Sequence, residues 1–205
     1  MKSAERRVYR PIASRRTWDR IWVRQTIKRT RSGLPLILAR NLYFARIRAK
    51  CAQSVLSGRV LEAGCGIGLS TLLLALRKTQ VRSAALLDFS PPAIGAAKRL
   101  ARQLNVNVDV IVADVNHMPF RAQAFDACWN IGVLEHLLDP YSALREMKRV
   151  TRVNGHVVAI LPFRWSPLNL LGVVFGKLHR EAQRFFPECW EEAAWSLTNE
   201  QIGLM

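Results

Sequence analysis

The sequence predicts a doubly wound α/β domain built on a mostly parallel sheet of about five strands, and three observations carry that prediction. Short, almost wholly apolar runs recur at residues 59–63, 84–87, 108–113, 127–129 and 156–161, and strands apolar throughout belong to sheets covered on both faces. The stretches between them have helical periodicity, the alternation expected of a parallel sheet with crossover helices. The first run leads directly into Gly64-Cys65-Gly66-Ile67-Gly68 and then the helical Leu72-Leu73-Leu74, a strand-turn-helix order in which the glycines let the backbone bend sharply and a ligand approach.

The elements follow in order. Trp18, Ile21, Trp22 and Ile27 recur at near-helical spacing while Arg20, Arg24, Lys28 and Arg29 take other faces, which describes a basic amphipathic helix ended by Ser32-Gly33. A second helix over 36–55 offers Leu38, Leu42, Ala45 and Ala49 as its buried stripe before Ser57-Gly58 turns the chain. Ser90-Pro91 is an N-cap and first-turn pair for a helix running to about Leu104, and Asp139-Pro140 repeats the device. Lys148, Arg149 and Arg152 favour the negative end of that last helix, and Asn154-Gly155 makes a tight turn into the fifth strand. The organisation expected is a basic N-terminal arm or lid over 1–56, an α/β core over 57–162, and an apolar insertion with a final helix over 163–205.

A chain of 205 residues that is 50% hydrophobic and 22% charged has enough apolar side chains for one real core, which excludes a disordered tail or a disulfide mini-protein. The net charge of +16 is lopsided: residues 1–50 carry fifteen basic side chains against Glu5 and Asp19, hence +13, and the remaining 155 residues carry +3. Cys51, Cys65, Cys128 and Cys189 lie far apart without a C-x-x-C pair, so neither a zinc site nor a disulfide framework is suggested and a reducing, cytoplasmic setting is the default. The only early apolar run, 34–39, is too short and too late for a signal peptide, and no stretch is long enough to span a bilayer.

The glycine spacing is G-x-G-x-G, with Leu69 where a dinucleotide fingerprint would carry its last glycine. Glu62, two residues before the first glycine, would repel a pyrophosphate and suits a cationic ligand such as the methionine part of S-adenosylmethionine. Asp88 ends the second strand, where a carboxylate accepts both hydroxyls of a ribose. Asp114 ends the third beside the apolar Val115, and Asn130 ends the fourth with a backbone carbonyl for an ammonium group. Asp126 reads as the opening of the fourth strand, Asp139 as a cap, and Cys65 and Cys128 as small buried residues.

These residues resemble the class I S-adenosylmethionine-dependent methyltransferases, closest to methyltransferase type 11. The resemblance runs from about Arg59 to Leu161 and rests on Leu61-Glu62-Ala63-Gly64-Cys65-Gly66-Ile67-Gly68, Leu87-Asp88-Phe89-Ser90-Pro91, Ala113-Asp114-Val115 through Phe120, and Phe125-Asp126 through Val133-Leu134-Glu135-His136-Leu137. It implies a Rossmann-like fold that binds S-adenosylmethionine, with Glu62, Gly64, Cys65, Gly66 and Gly68 along the methionine part. Asp88 and Phe89 would meet the ribose and adenine edge, Asp114 and Val115 the adenine, and Asn130 the sulfonium and amino group. It also implies that the N-terminal helices close over the cofactor.

Methyl transfer is an in-line displacement in which alignment supplies much of the acceleration, and a base is needed only for a hydroxyl or protonated amine. Glu135 and His136 are the nearest candidates, His136 being the catalytic assignment; His117 is a weaker one. The Asn/Asp-Pro-Pro-aromatic signature of many amino-group methyltransferases is absent at Asn130-Ile131-Gly132-Val133. The apolar and aromatic run 161–176 suits a lipid, isoprenoid or polyketide-like acceptor. Relatives continue to an antiparallel strand pair that this chain does not reach, so the expectation is a truncated product or a second chain, as in a dimer, covering an apolar edge strand. The basic arm has three readings: a lid, a contact to RNA, or a peripheral foot on anionic membrane.

Overall fold

The computed structural model describes residues 14–28, 34–77 and 80–161. Two helices, α1 (Arg15–Lys28) and α2 (Leu34–Ala52), precede the alternating core: β1 (Gly58–Ala63), α3 (Leu69–Leu76), β2 (Val81–Asp88), α4 (Pro91–Gln103), β3 (Asp109–Val112), β4 (Phe125–Ile131), α5 (Pro140–Val150) and β5 (Thr151–Ile160). The strands form one sheet in the order β3-β2-β1-β4-β5, every neighbouring pair parallel. From β1 the chain winds outward through β2 to β3, then crosses back to β4 and β5. That reversal sets a switch point between β1 and β4, and ligands of open α/β sheets bind outside the carboxyl ends of the strands at such a point.

Alternation along each strand divides the core between the two faces of the sheet. Leu61, Ala63, Leu87 and Cys128 pack with Ala143, Met147 and Val150 of α5, joined by Phe125, which lies beyond the register shift at the start of β4 and so departs from the alternation. On the other face Val60, Ala127 and Trp129 meet Ala49 and Ala52 of α2 and Leu74 of α3, while Leu86 meets Leu72 of α3 and Ile94, Ala97 and Leu100 of α4. The stripe Ala45, Ala49 and Ala52 is buried, and residues this small let α2 lie close to its neighbours. The expected stripe is thus confirmed at Ala45 and Ala49, with Leu42 half-buried and the side chain of Leu38 outside the described residues.

The amino ends of the strands are tied together by Asp126, which accepts the Arg59 N–H at 2.6 Å and pairs with Arg82 at 3.4 Å and Arg152 at 3.1 Å. Asp139 caps α5 by accepting the Ser142 N–H at 3.0 Å. Arg149 leaves the helix end to which its charge was assigned: it donates to the Phe120 and Met118 carbonyls at 2.7 and 3.0 Å, pinning the loop after β3 against α5.

Two local expectations change. Ser90 stands at the N-cap of α4, but its side chain makes no capping bond; its hydroxyl donates to Asp19 of α1 at 2.5 Å. The Asn154-Gly155 turn lies inside β5, because the Thr151 hydroxyl closes α5 on the Met147 carbonyl at 2.7 Å and strand pairing begins at once. Asn154, at φ +63°, then takes up the register break between the pairs Phe125↔Thr151 and Ala127↔His156.

Among the described residues β5 is an edge strand, with Val153 71% and Val157 41% exposed. The expected cover over 163–205, Cys189 and the Ser32-Gly33 stop lie outside the described residues. No described helix is long and apolar enough to cross a membrane.

Candidate functional site

At the carboxyl end of β1, Gly64, Gly66 and Gly68 all take the left-handed conformation, with φ of +76°, +54° and +68°, which L side chains adopt only with strain. The turn is laced to β2. The N–H groups of Gly64 and Cys65 donate to the Leu87 carbonyl at 2.7 and 2.9 Å, and the Gly66 N–H donates to Asp88 Oδ2 at 2.8 Å. Asp88 Oδ1 accepts the Ser90 N–H at 2.9 Å. Asp88 therefore braces both strand-end loops, a task the sequence did not announce, and each of its oxygens keeps a further lone pair. Burial raises its carboxyl above the usual range against the pull of those N–H groups, and the charge of Asp19 adds to the rise.

Glu62, 3% exposed, lies one residue before the end of β1. Its Oε2 accepts the Thr71 hydroxyl at 2.5 Å, and that hydroxyl accepts the Trp129 indole N–H at 2.9 Å. Burial pushes the Glu62 carboxyl up to about 7, opposed by Thr71 and by the positive charge of Arg48. Arg48, on α2, also acts on Glu135, whose carboxyl burial likewise raises to about 7. Asn130, 1% exposed in β4, donates through Nδ2 to the Ala63 carbonyl at 2.9 Å, while its Oδ1 is buried without a hydrogen-bond partner. The switch point is thus lined by buried acceptors, a setting for a cationic group.

Helix α1 bridges three of these loops. Asp19 meets Ser90 after β2, the Trp22 indole rests on Gly66 after β1, and Trp18 packs edge-on to His136 after β4 with ring centroids 5.1 Å apart. The predicted apolar face of this helix is therefore the face that reaches the site. His136 ends a short 3-10 turn, Leu134–His136. Its Nδ1 is buried without a hydrogen-bond partner, and burial lowers its pKa, so the ring is neutral near pH 7.

The remaining predicted residues divide. Phe89 is half-buried between Asp88 and Ser90. Cys65 is buried in the turn, its thiol pushed well up by burial and by Glu62 and Asp88. Asp114 is exposed, and its Oδ1 accepts from the Asn116 N–H at 2.9 Å and the Asn116 amide at 3.1 Å. Val115, 6% exposed, packs in the core with Leu87 and Met118, and His117 is exposed in the following loop. Thr71, Asp19, Trp22 and Arg48 were not singled out as site residues. Only Trp22 had a signal, its place on the apolar face of α1.

A doubly wound parallel sheet with this glycine turn and an acid at the end of β2 defines a class of fold: it is the Rossmann-like fold found in the class I methyltransferases. Residues 61–159, just under half of the chain, match the family described as methyltransferase domain. The chain is 31% identical over 111 residues to a ubiquinone biosynthesis O-methyltransferase of Alkalilimnicola ehrlichii, covering 54% of this chain and 44% of that protein. It is 35% identical over 104 residues to ajmaline N-methyltransferase of Rauvolfia serpentina, covering 50% and 35%. Among solved structures, the [4+2]-cyclase SpnF superposes with a TM-score of 0.51 at 30% identity, over 56% of this chain and 44% of that one. The matched segment thus spans less than half the length of each of these proteins.

Proposed function

We propose that the chain binds S-adenosylmethionine at the switch point and transfers its methyl group to a small, largely apolar acceptor of lipid, isoprenoid or polyketide-like type. The observation that carries the reading is the buried, unpartnered Oδ1 of Asn130, set in β4 beside the Glu62 end of β1. An acceptor atom left without a donor in a buried place marks where a ligand's positive or N–H group belongs.

In this reading Glu62, Gly64, Cys65, Gly66, Gly68 and Asn130 hold the methionine part. Asp88 and Phe89 hold the ribose, and Asp114 and Val115 border the adenine. The cofactor, when bound, supplies a methyl group on a sulfonium that is already a good leaving group. The protein's own work is alignment and exclusion of water, and α1, as the lid, contributes Trp18 and Trp22. His136, neutral and held by Trp18, takes the proton if the acceptor is a hydroxyl. The names of the two curated relatives support a small-molecule acceptor methylated on oxygen or nitrogen. Tryptophans turned inward onto Gly66 and His136 offer no stacking platform for bases, which disfavours RNA.

Calorimetric titration with S-adenosylmethionine, followed by methyl-label transfer to quinol, lipid, polyketide and RNA fractions, tests this. Micromolar binding and labelling of an apolar small-molecule fraction are expected, with turnover falling at least about a hundredfold in His136→Asn if oxygen is the acceptor. Absence of cofactor binding, or labelling confined to RNA, overturns it. Binding without transfer to any fraction would favour a non-methylating role, as the name of SpnF records for that protein.

A further inference from the structure

We infer that the outer face of α2 is a docking surface for an anionic lipid bilayer. Tyr43, Arg46, Ile47 and Lys50 are all exposed and recur at i, i+3, i+4 and i+7, so they form one stripe along the helix. The opposite stripe, Ala45, Ala49 and Ala52, is buried in the core, which fixes the outward direction of the first. Tyr43 is 62% and Ile47 39% exposed. Two apolar side chains interleaved with two cations match a membrane interface, where rings and branched chains enter the acyl boundary and amines meet headgroup phosphates.

Charge settles the kind of bilayer. Helix α2 contains no acidic residue, and the single acid of α1, Asp19, is turned inward to Ser90. Arg15, Arg16 and Arg20 of α1 are exposed, and the first fifty residues hold +13 of the chain's +16. A helix face with two cations and no acid, in a segment of net positive charge, is attracted to anionic headgroups over a Debye length and gains little from a zwitterionic one. A nucleic acid would use the cations but leave Ile47 idle, and Trp18 and Trp22 of α1 are committed to the site. No described helix crosses a membrane, so the contact is peripheral. Because α2 also carries Arg48, whose charge acts on Glu62 and Glu135, the docked helix is linked electrostatically to the site.

The experiment is co-sedimentation of the full chain with phosphatidylglycerol-rich vesicles and with pure phosphatidylcholine vesicles, with poly-uridine binding measured in parallel. Binding to the anionic vesicles that weakens with salt is expected, with little to the neutral ones. Arg46→Gln with Lys50→Gln should lower partitioning roughly twenty-five-fold, about fivefold per cation, and Tyr43→Ser with Ile47→Ser at least about tenfold without changing poly-uridine binding. Equal partitioning to both vesicle types, or unchanged partitioning in both double variants, overturns the inference. So does a loss confined to poly-uridine binding. Melting temperatures confirm that each variant is folded, and a cofactor titration on each separates failure here from failure of the methyltransferase reading.

Discussion

The indole of Trp22 lies on Gly66, so closely that a methyl group at Gly66 would stand 2.6 Å from ring atoms Cη2 and Cζ2. One contact thus joins the N-terminal helix to the turn that carries the candidate site. Gly66→Ala should destabilise the domain by about 1–2 kcal/mol, through the left-handed backbone and the displaced ring. Trp22→Ala in the same chain should restore part of that loss, and a double-mutant cycle in denaturant reads the coupling. Strictly additive effects would show that α1 is not seated there in solution. Gly66→Val should in addition block cofactor binding in calorimetry.

Asp88 holds two buried N–H groups, those of Gly66 and Ser90. Asp88→Ala should therefore cost about 2–4 kcal/mol of stability, on the order of the desolvation of two orphaned donors, and weaken S-adenosylmethionine binding strongly. Denaturant melts and calorimetry on Asp88→Asn, which keeps one carbonyl oxygen, separate the two effects. Cofactor affinity unchanged in a folded Asp88→Asn would remove Asp88 from the proposed ribose contact.

Thr71 relays a hydrogen bond from the Trp129 indole to Glu62. Thr71→Val conserves shape but strands the Trp129 indole N–H and takes one of two Thr71 donors from the Glu62 carboxyl, for an expected loss of about 2–3 kcal/mol. Thr71→Ser keeps the hydroxyl and should lose well under half of that. Urea midpoints compare the two, and equal losses would mean that the methyl group, not the hydroxyl, matters.

The pH dependence follows from Glu62, whose carboxyl rises from 4.5 to about 7 on folding. Below 4.5 both states are protonated and its contribution is complete. As pH climbs, the unfolded chain ionises first, so stability falls through the window from about 4.5 to about 7, by about 3 kcal/mol in total. Glu135, raised to about 7 as well, acts in the same direction. Asp126 and Glu146, held low chiefly by the Arg59 N–H and by Arg149 respectively, work the opposite way and lose their contribution as pH falls. Thermal melts from pH 4.5 to 8 should show the decline, and Glu62→Gln should flatten much of it. A Glu62→Gln slope equal to wild type would mean that Glu62 ionises freely in the fold.

Much of this was legible in the residues. The five apolar runs became five strands in the expected chain order, and the Ser90-Pro91 and Asp139-Pro140 starts stand at the heads of α4 and α5. Strand pairing, helix starts and the glycine turn are local in cause: period, side-chain entropy and the missing Cβ act within a few residues. Side-chain partners are not local. Ser90 looked like a capping hydroxyl and instead reaches 71 residues back to Asp19, and Asp88 looked like a ligand carboxylate and also braces the turn that precedes it by 22 residues.

The sequence by itself determined the sheet's strands, the acids Glu62, Asp88 and Asp114 at the ends of the first three, and the basic, aromatic-faced helix ahead of them. Only the tertiary structure decided what those groups face: Trp22 on Gly66, Trp18 on His136, Arg48 acting on Glu62 and Glu135, and Tyr43 and Ile47 left in solvent. The reason is that a pattern of 3.6 or 2 states which face of an element is apolar, whereas the partner of that face is set by packing between elements distant in the chain. Burial then sets the charge of the acids, holding Glu62 and Glu135 near 7 where composition alone would count both as fully ionised.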